Sequence, residues 1–188
     1  MVIAALYVDP KGIYSGLEGV DCWGEDRDAR LYAGPHPVVA HPPCTRWCVL
    51  AGQQETRYGI PKHKDDGEFA AACKAVRRFG GVLEHPGYSA AFGHHGLSEP
   101  ASRGWQRDID GGWVCEVFQG AYGHRVPKRT WLYVCGVDEP PALNWSLPEG
   151  KGSREFGMMS HKQRSATPEA FRDVLIGIAR RAGRCSRG

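Results

Sequence analysis

The sequence contains no long apolar run, which argues against a membrane-spanning helix, since such a helix needs about 20 apolar residues. The N-terminus also lacks the basic start and long apolar centre of a signal peptide. We therefore expect a protein of the cytoplasm, which would be the host cytoplasm if a phage encodes the chain. No internal repeat or domain-scale linker occurs, so the 188 residues predict a single domain, 1–188.

The spacings typical of structural metal sites and of disulfide frameworks are missing as well. The chain has 7 cysteines, but it contains no CxxC pair and no HxxxH pair. Structural zinc usually relies on such paired ligands. One metal alternative stays open, a zinc site formed by His41, Cys44, Cys48 and a further histidine. An odd number of scattered cysteines in a cytoplasmic chain predicts that most of the thiols are reduced.

Neither sign of charge dominates the composition. The net charge of +3 does not by itself predict a nucleic-acid partner, because many enzymes lie in that range. Basic residues cluster within 125–129 and again within 162–187. A solvated surface explains such clusters more often than a binding track for phosphates does.

The apolar pattern predicts an α/β fold with a mostly parallel sheet. The runs MVIAALYVD, HPVVAHPPC and GVLEHP are typical of buried strands, because they show little polar alternation. Between the second and the third run, DDGEFAAACKAVRRF has the apolar spacing of a helix. A strand, a helix and a strand in this order imply a right-handed crossover between parallel strands.

The second half of the chain predicts a sheet edge, two irregular regions and a closing helix. WVCEVFQGAYG and RTWLYVCGV are expected to form an antiparallel pair at one edge of the sheet. TPEAFRDVLIGIARRAG predicts a helix whose apolar stripe packs on the sheet. Loop-rich insertions are expected at 86–112 and 138–163.

Three segments near predicted strand ends carry reactive or charged side chains. They are HPPC with Cys44, LEHP with Glu84, and YGHRVPKRTW with Lys128 and Arg129. Open α/β sheets bind ligands at the carboxyl ends of their parallel strands. The sequence therefore predicts that a thiol and a carboxylate share one cleft, with a basic turn nearby.

These segments resemble the cytosine-C5 DNA methyltransferase family. That family has a Pro-Cys nucleophile loop, a Glu-Asn-Val strand end and a YG-x-P-Q-x-R-x-R turn. Here Cys44 lies 40 positions before Glu84, and Glu84 lies 45 positions before Arg129, close to the family's separations. SATPEAFRDVLIGIAR is similar to the family's final motif, and YVDPKGIYSGLEG is similar to its cofactor loop. The resemblance implies a Rossmann-like methyltransferase core in a reduced, phage-like member of the family.

The reaction that the resemblance implies is the C5 methylation of cytosine in DNA. The Cys44 thiolate would add to C6, while Glu84 would hold and protonate the ring at N3. Arg129 would orient the base and its phosphodiester. Further substrate contacts are expected from Pro43, His85 and Lys128. The base would leave the DNA stack to reach the site, or it would belong to a pyrimidine nucleotide.

S-adenosylmethionine is the cofactor that the resemblance implies. The residues expected near it are Asp9, Gly12, Tyr14, Asp21 and Ser165. Only 32 positions separate Gly12 from Cys44, about half of the family's separation. The region from Gly136 to Gln163 is much shorter than a target-recognition domain of the family. This predicts little sequence specificity, a partner protein that selects the target, or a nucleotide substrate.

Two other functions stay open beside methylation. The same Cys44 and Glu84 would also serve a base- or nucleotide-modifying reaction without S-adenosylmethionine. Alternatively, the chain is an inactive methyltransferase-like module that binds nucleic acid. A purely structural interpretation makes Cys44 a core residue and Glu84 the partner of an arginine. Trp105, Trp113 and Trp131 either stack on an extruded base or close the rim of a small core.

Overall fold

Seven strands form one mixed sheet in the order β2-β1-β3-β4-β7-β6-β5. The strands are β1 (Ile3–Leu6), β2 (Val20–Trp23), β3 (Val38–Ala40), β4 (Gly81–Pro86), β5 (Gln106–Arg107), β6 (Trp113–Phe118) and β7 (Arg129–Cys135). This computed structural model describes residues 1–148 and 158–183. β2, β1, β3 and β4 are parallel neighbours, whereas β7, β6 and β5 join through antiparallel ladders. The chain is therefore a single α/β domain with a Rossmann-like core, as predicted.

Helices cover both faces of the sheet. They are α1 (Ala51–Tyr58), α2 (Glu68–Phe79), α3 (Ala90–His94), α4 (His161–Ser165) and α5 (Glu169–Arg181). Phe69 and Val76 of α2 belong to the core on one face, together with Leu83. Phe171 and Leu175 of α5 belong to the core on the other face. None of the described helices is long and apolar enough to cross a membrane.

The crossover helix α2 begins three residues later than the apolar pattern suggests, because Asp65 caps it from outside. The Asp65 carboxylate accepts hydrogen bonds from the backbone N–H groups of Gly67 and Phe69, both at 3.0 Å. The chain then enters β4 through Gly81, whose φ is +126°. A Cβ at this position would lie 1.9 Å from the Val38 carbonyl oxygen, so the close pairing of β3 and β4 requires glycine here.

The antiparallel pair forms as predicted, but it does not lie at the sheet edge. β6 pairs with β7 in the register Cys115↔Leu132, and β7 also pairs with β4 in the register Glu84↔Leu132. The six residues Thr130–Cys135 are all buried, which explains why β7 lies inside the sheet. The two-residue strand β5 forms the edge instead. β2 was not predicted, because its four residues are only half-buried and leave no apolar pattern in the sequence.

The two predicted insertions are irregular in the part of the chain that the structure describes. The segment 86–112 contains only the short α3 and β5. Of 138–163, residues 149–157 lie outside the described residues, as do Arg184, Cys185 and Arg187 at the C-terminus. Five cysteines are free thiols, which agrees with the expectation that most are reduced: Cys22, Cys44, Cys48, Cys73 and Cys115.

Candidate active site

Cys44 lies just after β3, and Glu84 lies near the carboxyl end of the neighbouring parallel strand β4. β3 ends at Ala40, which pairs with Leu83 of β4, and Glu84 is the next residue of that strand. The segment from His41 to Cys44 leaves β3 at the same end. The carboxyl ends of parallel strands lie at one edge of a sheet, so the thiol and the carboxylate approach a common region.

The Glu84 carboxylate is held by a donor on each of its oxygen atoms. His41 Nδ1 lies 3.0 Å from Oε2, and the Gln119 side-chain N–H donates to Oε1 at 3.0 Å. Burial alone would raise the pKa of Glu84, but the hydrogen bond and charge of His41 and the charge of Lys128 outweigh it and hold the pKa below its usual range. Glu84 is therefore an ionised, oriented carboxylate, although only 8% of the residue is exposed.

A buried tyrosine extends this hydrogen-bond chain away from the cleft. The Tyr14 hydroxyl lies 2.8 Å from His41 Nε2. Burial and the nearby charge of Glu84 raise the pKa of Tyr14, so the phenol stays protonated. We expected Tyr14 near a cofactor, but its hydroxyl contacts His41. The result is a continuous chain from Tyr14 through His41 to Glu84.

Cys44 shares its environment with a second thiol, Cys48, one turn further along the chain. The Cys48 backbone N–H donates to the Cys44 carbonyl at 2.9 Å, and the Cys48 thiol contacts the Thr45 carbonyl at 4.0 Å. The neighbouring Cys48, burial and the charge of Glu84 raise the pKa of Cys44, and the charge of Lys128 acts in the opposite direction. The neighbouring Cys44 and nearby backbone N–H groups lower the pKa of Cys48 to about 6. The two thiols therefore titrate as a pair.

Lys128 is the cation whose charge acts on both Cys44 and Glu84. Its ammonium donates to the Ala166 carbonyl at 2.7 Å and to the Ser165 carbonyl at 3.3 Å. Burial lowers the pKa of Lys128, while the charges of Glu84 and Cys44 act in the opposite direction. We expected Ser165 near a cofactor; its carbonyl positions Lys128, and its hydroxyl donates to the Lys162 carbonyl at 3.2 Å.

Arg129, which we expected to orient the base, lies on the opposite face of the sheet. Its guanidinium donates to Glu116 at 3.1 Å and lies 4.7 Å from the centre of the Tyr88 ring. Successive residues of a strand point to opposite faces, and Arg129 shares its face with Trp131. The expectation for Arg129 is therefore corrected: Lys128 is the cation near Glu84, while Arg129 supports Glu116 and Tyr88.

His85, expected to contact the substrate, is completely buried behind the cleft. Its Nδ1 lies 2.6 Å from the Ser89 hydroxyl oxygen, and its ring packs edge-on against Phe69 with centroids 5.1 Å apart. Burial lowers the pKa of His85 to about 4, so the ring is neutral at pH 7. Its Nε2 is buried and has no hydrogen-bond partner among the described residues. His85 therefore packs between Ser89 and Phe69 behind the cleft and is not placed to contact a base.

A cavity of about 250 Å³ opens beside the Cys44 segment, towards α2. Its lining residues are Pro43, Thr45, Arg46, Ile60, Asp65 and Glu68. Pro43 is exposed there, and its expected contact with the substrate stays a prediction. Arg46 is the cation of this cavity, and its guanidinium also donates to the Lys64 carbonyl at 2.6 Å.

The residues expected around S-adenosylmethionine have other partners. The Asp9 carbonyl accepts the Gly12 N–H at 2.8 Å, which closes a tight turn after β1. Asp21 uses one carboxylate oxygen for Arg27 and the other for the Trp23 indole N–H. A ribose diol requires accessible acceptor atoms on an acidic residue. Each Asp21 oxygen thus already accepts one hydrogen bond, and a cofactor site formed by these residues stays a prediction.

The alternative metal site is not formed by the described residues. Within 1–148 and 158–183, no three His, Cys, Asp or Glu side chains are grouped so that they could hold a metal ion. His41, the histidine of that alternative, uses both ring nitrogens for Tyr14 and Glu84. Cys44 and Cys48 interact with each other instead.

Sequence reasoning missed the roles of His41, Gln119 and Cys48. The position of His41 could have been noticed in the sequence, because it is the first residue after the buried strand β3. Gln119 had none: it lies in a 3-10 turn after β6, and only the pairing of β6, β7 and β4 brings it to Glu84. Comparisons with protein-family models, with curated proteins and with solved structures gave no match for this chain.

Proposed function

We propose that this chain modifies a pyrimidine base at C5 through a covalent bond between the Cys44 sulfur and C6 of the base. The observation that carries the proposal is that Cys44 and Glu84 lie at the carboxyl ends of the neighbouring parallel strands β3 and β4, where the charge of Lys128 acts on both. The resemblance to cytosine-C5 methyltransferases favours cytosine in DNA as the substrate and methylation as the outcome.

The site residues supply the chemistry that C5 of a pyrimidine requires. C5 becomes nucleophilic only after a nucleophile has added to C6. When the Cys44 thiolate forms the sulfur–C6 bond, an electron pair moves towards N3, which takes up a proton. Glu84 is placed to hold this edge of the ring, and Lys128 stabilises the anionic thiolate. The enamine carbon C5 then forms a bond to an electrophile, which is a methyl group in methylation and a solvent proton in hydrogen exchange. Loss of the original C5 proton, return of the N3 proton and cleavage of the sulfur–C6 bond then release the base and regenerate the thiolate.

Cys48 provides the destination for the Cys44 proton. Of the two thiols, Cys48 ionises more readily, because its pKa is lowered to about 6. Attack on C6 requires the Cys44 sulfur to be anionic, because the thiolate is the nucleophile. Transfer of this proton to Cys48 produces that anion without involving solvent, and the reverse transfer restores the resting state.

A second candidate keeps the covalent adduct but does not use S-adenosylmethionine. It is favoured by Asp21, because both oxygens of this carboxylate are occupied by Arg27 and Trp23. In this alternative the same activated C5 reacts with another electrophile, or simply exchanges its hydrogen with solvent.

The exchange of C5 hydrogen with solvent tests the common step without any cofactor. We would incubate the protein with DNA and with nucleotides that carry deuterium at C5 of cytosine or uracil, and follow its loss by mass spectrometry. Exchange that disappears in Cys44→Ser supports the adduct. A folded wild-type protein that catalyses no exchange on any of these substrates would overturn the proposal.

Trapping on DNA that contains 5-fluorocytosine then separates the two candidates. The C5 fluorine cannot leave as a proton does, so a completed transfer leaves the protein bound to DNA. A denaturant-resistant adduct at Cys44 that requires S-adenosylmethionine supports methylation. Exchange activity without such an adduct supports the second candidate.

A further inference from the structure

His41 is the titratable side chain directly behind Glu84. It lies 3.0 Å from Glu84 through Nδ1 and 2.8 Å from the Tyr14 hydroxyl through Nε2. Its side chain is only 14% exposed. Because both ring nitrogens have partners, His41 does not bind substrate, and any effect on the reaction must pass through Glu84.

We propose that His41 is a positioning residue of the base-modifying reaction, which stores the proton that Glu84 delivers to N3 of the pyrimidine. This inference rests on the proposed function. It assigns to His41, which has no role in the reaction that the resemblance implies, the task of coupling the reaction to pH.

The proton balance explains why Glu84 needs such a partner. A carboxylate that accepts N–H groups on both oxygens carries no proton of its own to donate. Sulfur addition at C6 places negative charge at N3, which requires one proton. The proposed transfer requires His41 to enter the reaction as an imidazolium that donates to Glu84. The net transfer moves one proton from His41 Nδ1 through the carboxyl group to N3, leaving a neutral imidazole, and the elimination step returns it.

The other ionisable groups around this chain are not suited to the same task. Tyr14 has a pKa raised by burial, and His85 has a pKa lowered by burial to about 4, so neither changes charge near neutrality. Lys128 acts on Glu84 but directs its ammonium to two carbonyls. Three further ionisable groups act on the pKa of Tyr14: Arg172 and Asp173 of α5, and Cys22 of β2. Imidazole is the side chain that both gains and loses a proton near neutral pH.

The test compares the pH profiles of two matched variants, His41→Asn and His36→Asn. His36 lies at the start of β3, at the opposite end of the sheet from His41. The measured quantity is the rate of C5 hydrogen exchange from about pH 5.5 to about pH 9, the range in which imidazole changes charge. An asparagine amide at position 41 still donates to Glu84, but it carries no exchangeable charge.

We expect the wild-type rate to rise as the thiol pair ionises and then to fall as His41 loses its proton. In His41→Asn the falling limb should disappear and the maximal rate should drop by roughly a hundredfold, the low end of general acid–base effects. His36→Asn should keep both limbs. A His41→Asn variant with the wild-type falling limb overturns the inference, whereas a wild-type protein without any exchange counts against the proposed function itself.

A measurement on the wild-type protein covers the case in which His41→Asn does not fold. Nuclear magnetic resonance of protein labelled with ¹⁵N at histidine reports the protonation of each ring directly. We expect the His41 signal to titrate at the same pH as the falling limb of the rate. Titration at a clearly different pH would contradict the proposed proton storage.

Discussion

The two faces of the sheet differ sharply at the same edge. On the α5 face, Glu84 is ionised and connected through His41 to Tyr14. On the α2 face, the very next residue, His85, is neutral and buried against Phe69. One face thus holds a charged hydrogen-bond chain beside Cys44, and the other face holds the packing that supports it.

The same division separates Lys128 from Arg129. Lys128 acts on Cys44 and Glu84, while Arg129 pairs with Glu116 on the far side of the sheet. Neighbouring residues of a strand alternate between faces, so one position in the sequence decides between a reactive and a supporting role. A motif that matches by type and approximate spacing cannot make this distinction.

The largest effect is expected from Cys44→Ser, which removes the nucleophile from the reactive face. A serine hydroxyl is far less acidic than a thiol, so C5 exchange should fall by roughly a thousandfold or more. The check is the exchange assay, with thermal unfolding to confirm that the fold is retained. Exchange at the wild-type rate in Cys44→Ser would contradict the covalent mechanism.

Glu84→Gln should lower the exchange rate by roughly a hundredfold, the effect of losing one preorganised charge at the reacting edge. The amide has nearly the same shape, but it cannot accept a proton and brings its own N–H towards His41 or Gln119. Single-turnover exchange measures the loss. Binding of the base should be retained to a greater extent than turnover, and a variant that turns over normally would rule out a role for the charge.

On the α2 face, the buried His85 should make the free energy of unfolding depend on pH. The pKa of His85 falls from 6.5 to about 4 on burial, so the unfolded chain binds the extra proton between these values. Stability is therefore complete above about pH 6.5 and decreases as the pH falls towards 4, by about 3 kcal/mol for this group. Denaturant unfolding at several pH values checks this, with His85→Phe as the variant in which this contribution disappears. An unchanged acid dependence in that variant would contradict it.

The smallest and most discriminating effect is expected from Lys128→Met and Arg129→Met. Removal of the Lys128 charge should lower C5 exchange by roughly tenfold, because the thiolate loses a cation whose charge stabilises it. Arg129→Met should leave the exchange rate nearly unchanged and should lower thermal stability instead. The comparison of both variants in both assays is decisive, and the reverse pattern would show that Arg129 is the cation of the site.

The sequence was informative where local chemistry and periodicity agree. The buried strands β1, β3 and β4, the helix between β3 and β4 and the antiparallel pairing of β6 with β7 were all predicted, because each leaves its own apolar pattern. The predicted strands also placed Cys44 and Glu84 near the carboxyl ends of β3 and β4. β2 was missed because its four half-buried residues carry no such pattern.

The residues that complete the site are distant in the chain and have no common local signal. Tyr14, His41 and Gln119 come from a loop after β1, the end of β3 and a turn after β6. The insertion of β7 between β4 and β6 brings Gln119 to Glu84. No window of sequence contains this information, because it depends on the order of strands in the sheet.

The sequence by itself determined the α/β class, the strands that carry Cys44 and Glu84, and the thiol and carboxylate chemistry available at their ends. Only the tertiary structure decided which face of the sheet each neighbouring side chain takes. His41 is hydrogen bonded to Glu84 and Lys128 acts on it through its charge, whereas His85 and Arg129 lie on the opposite face. The physical reason is that periodicity is local, whereas the charge state of a buried carboxylate depends on donors that strand order brings together from the whole chain.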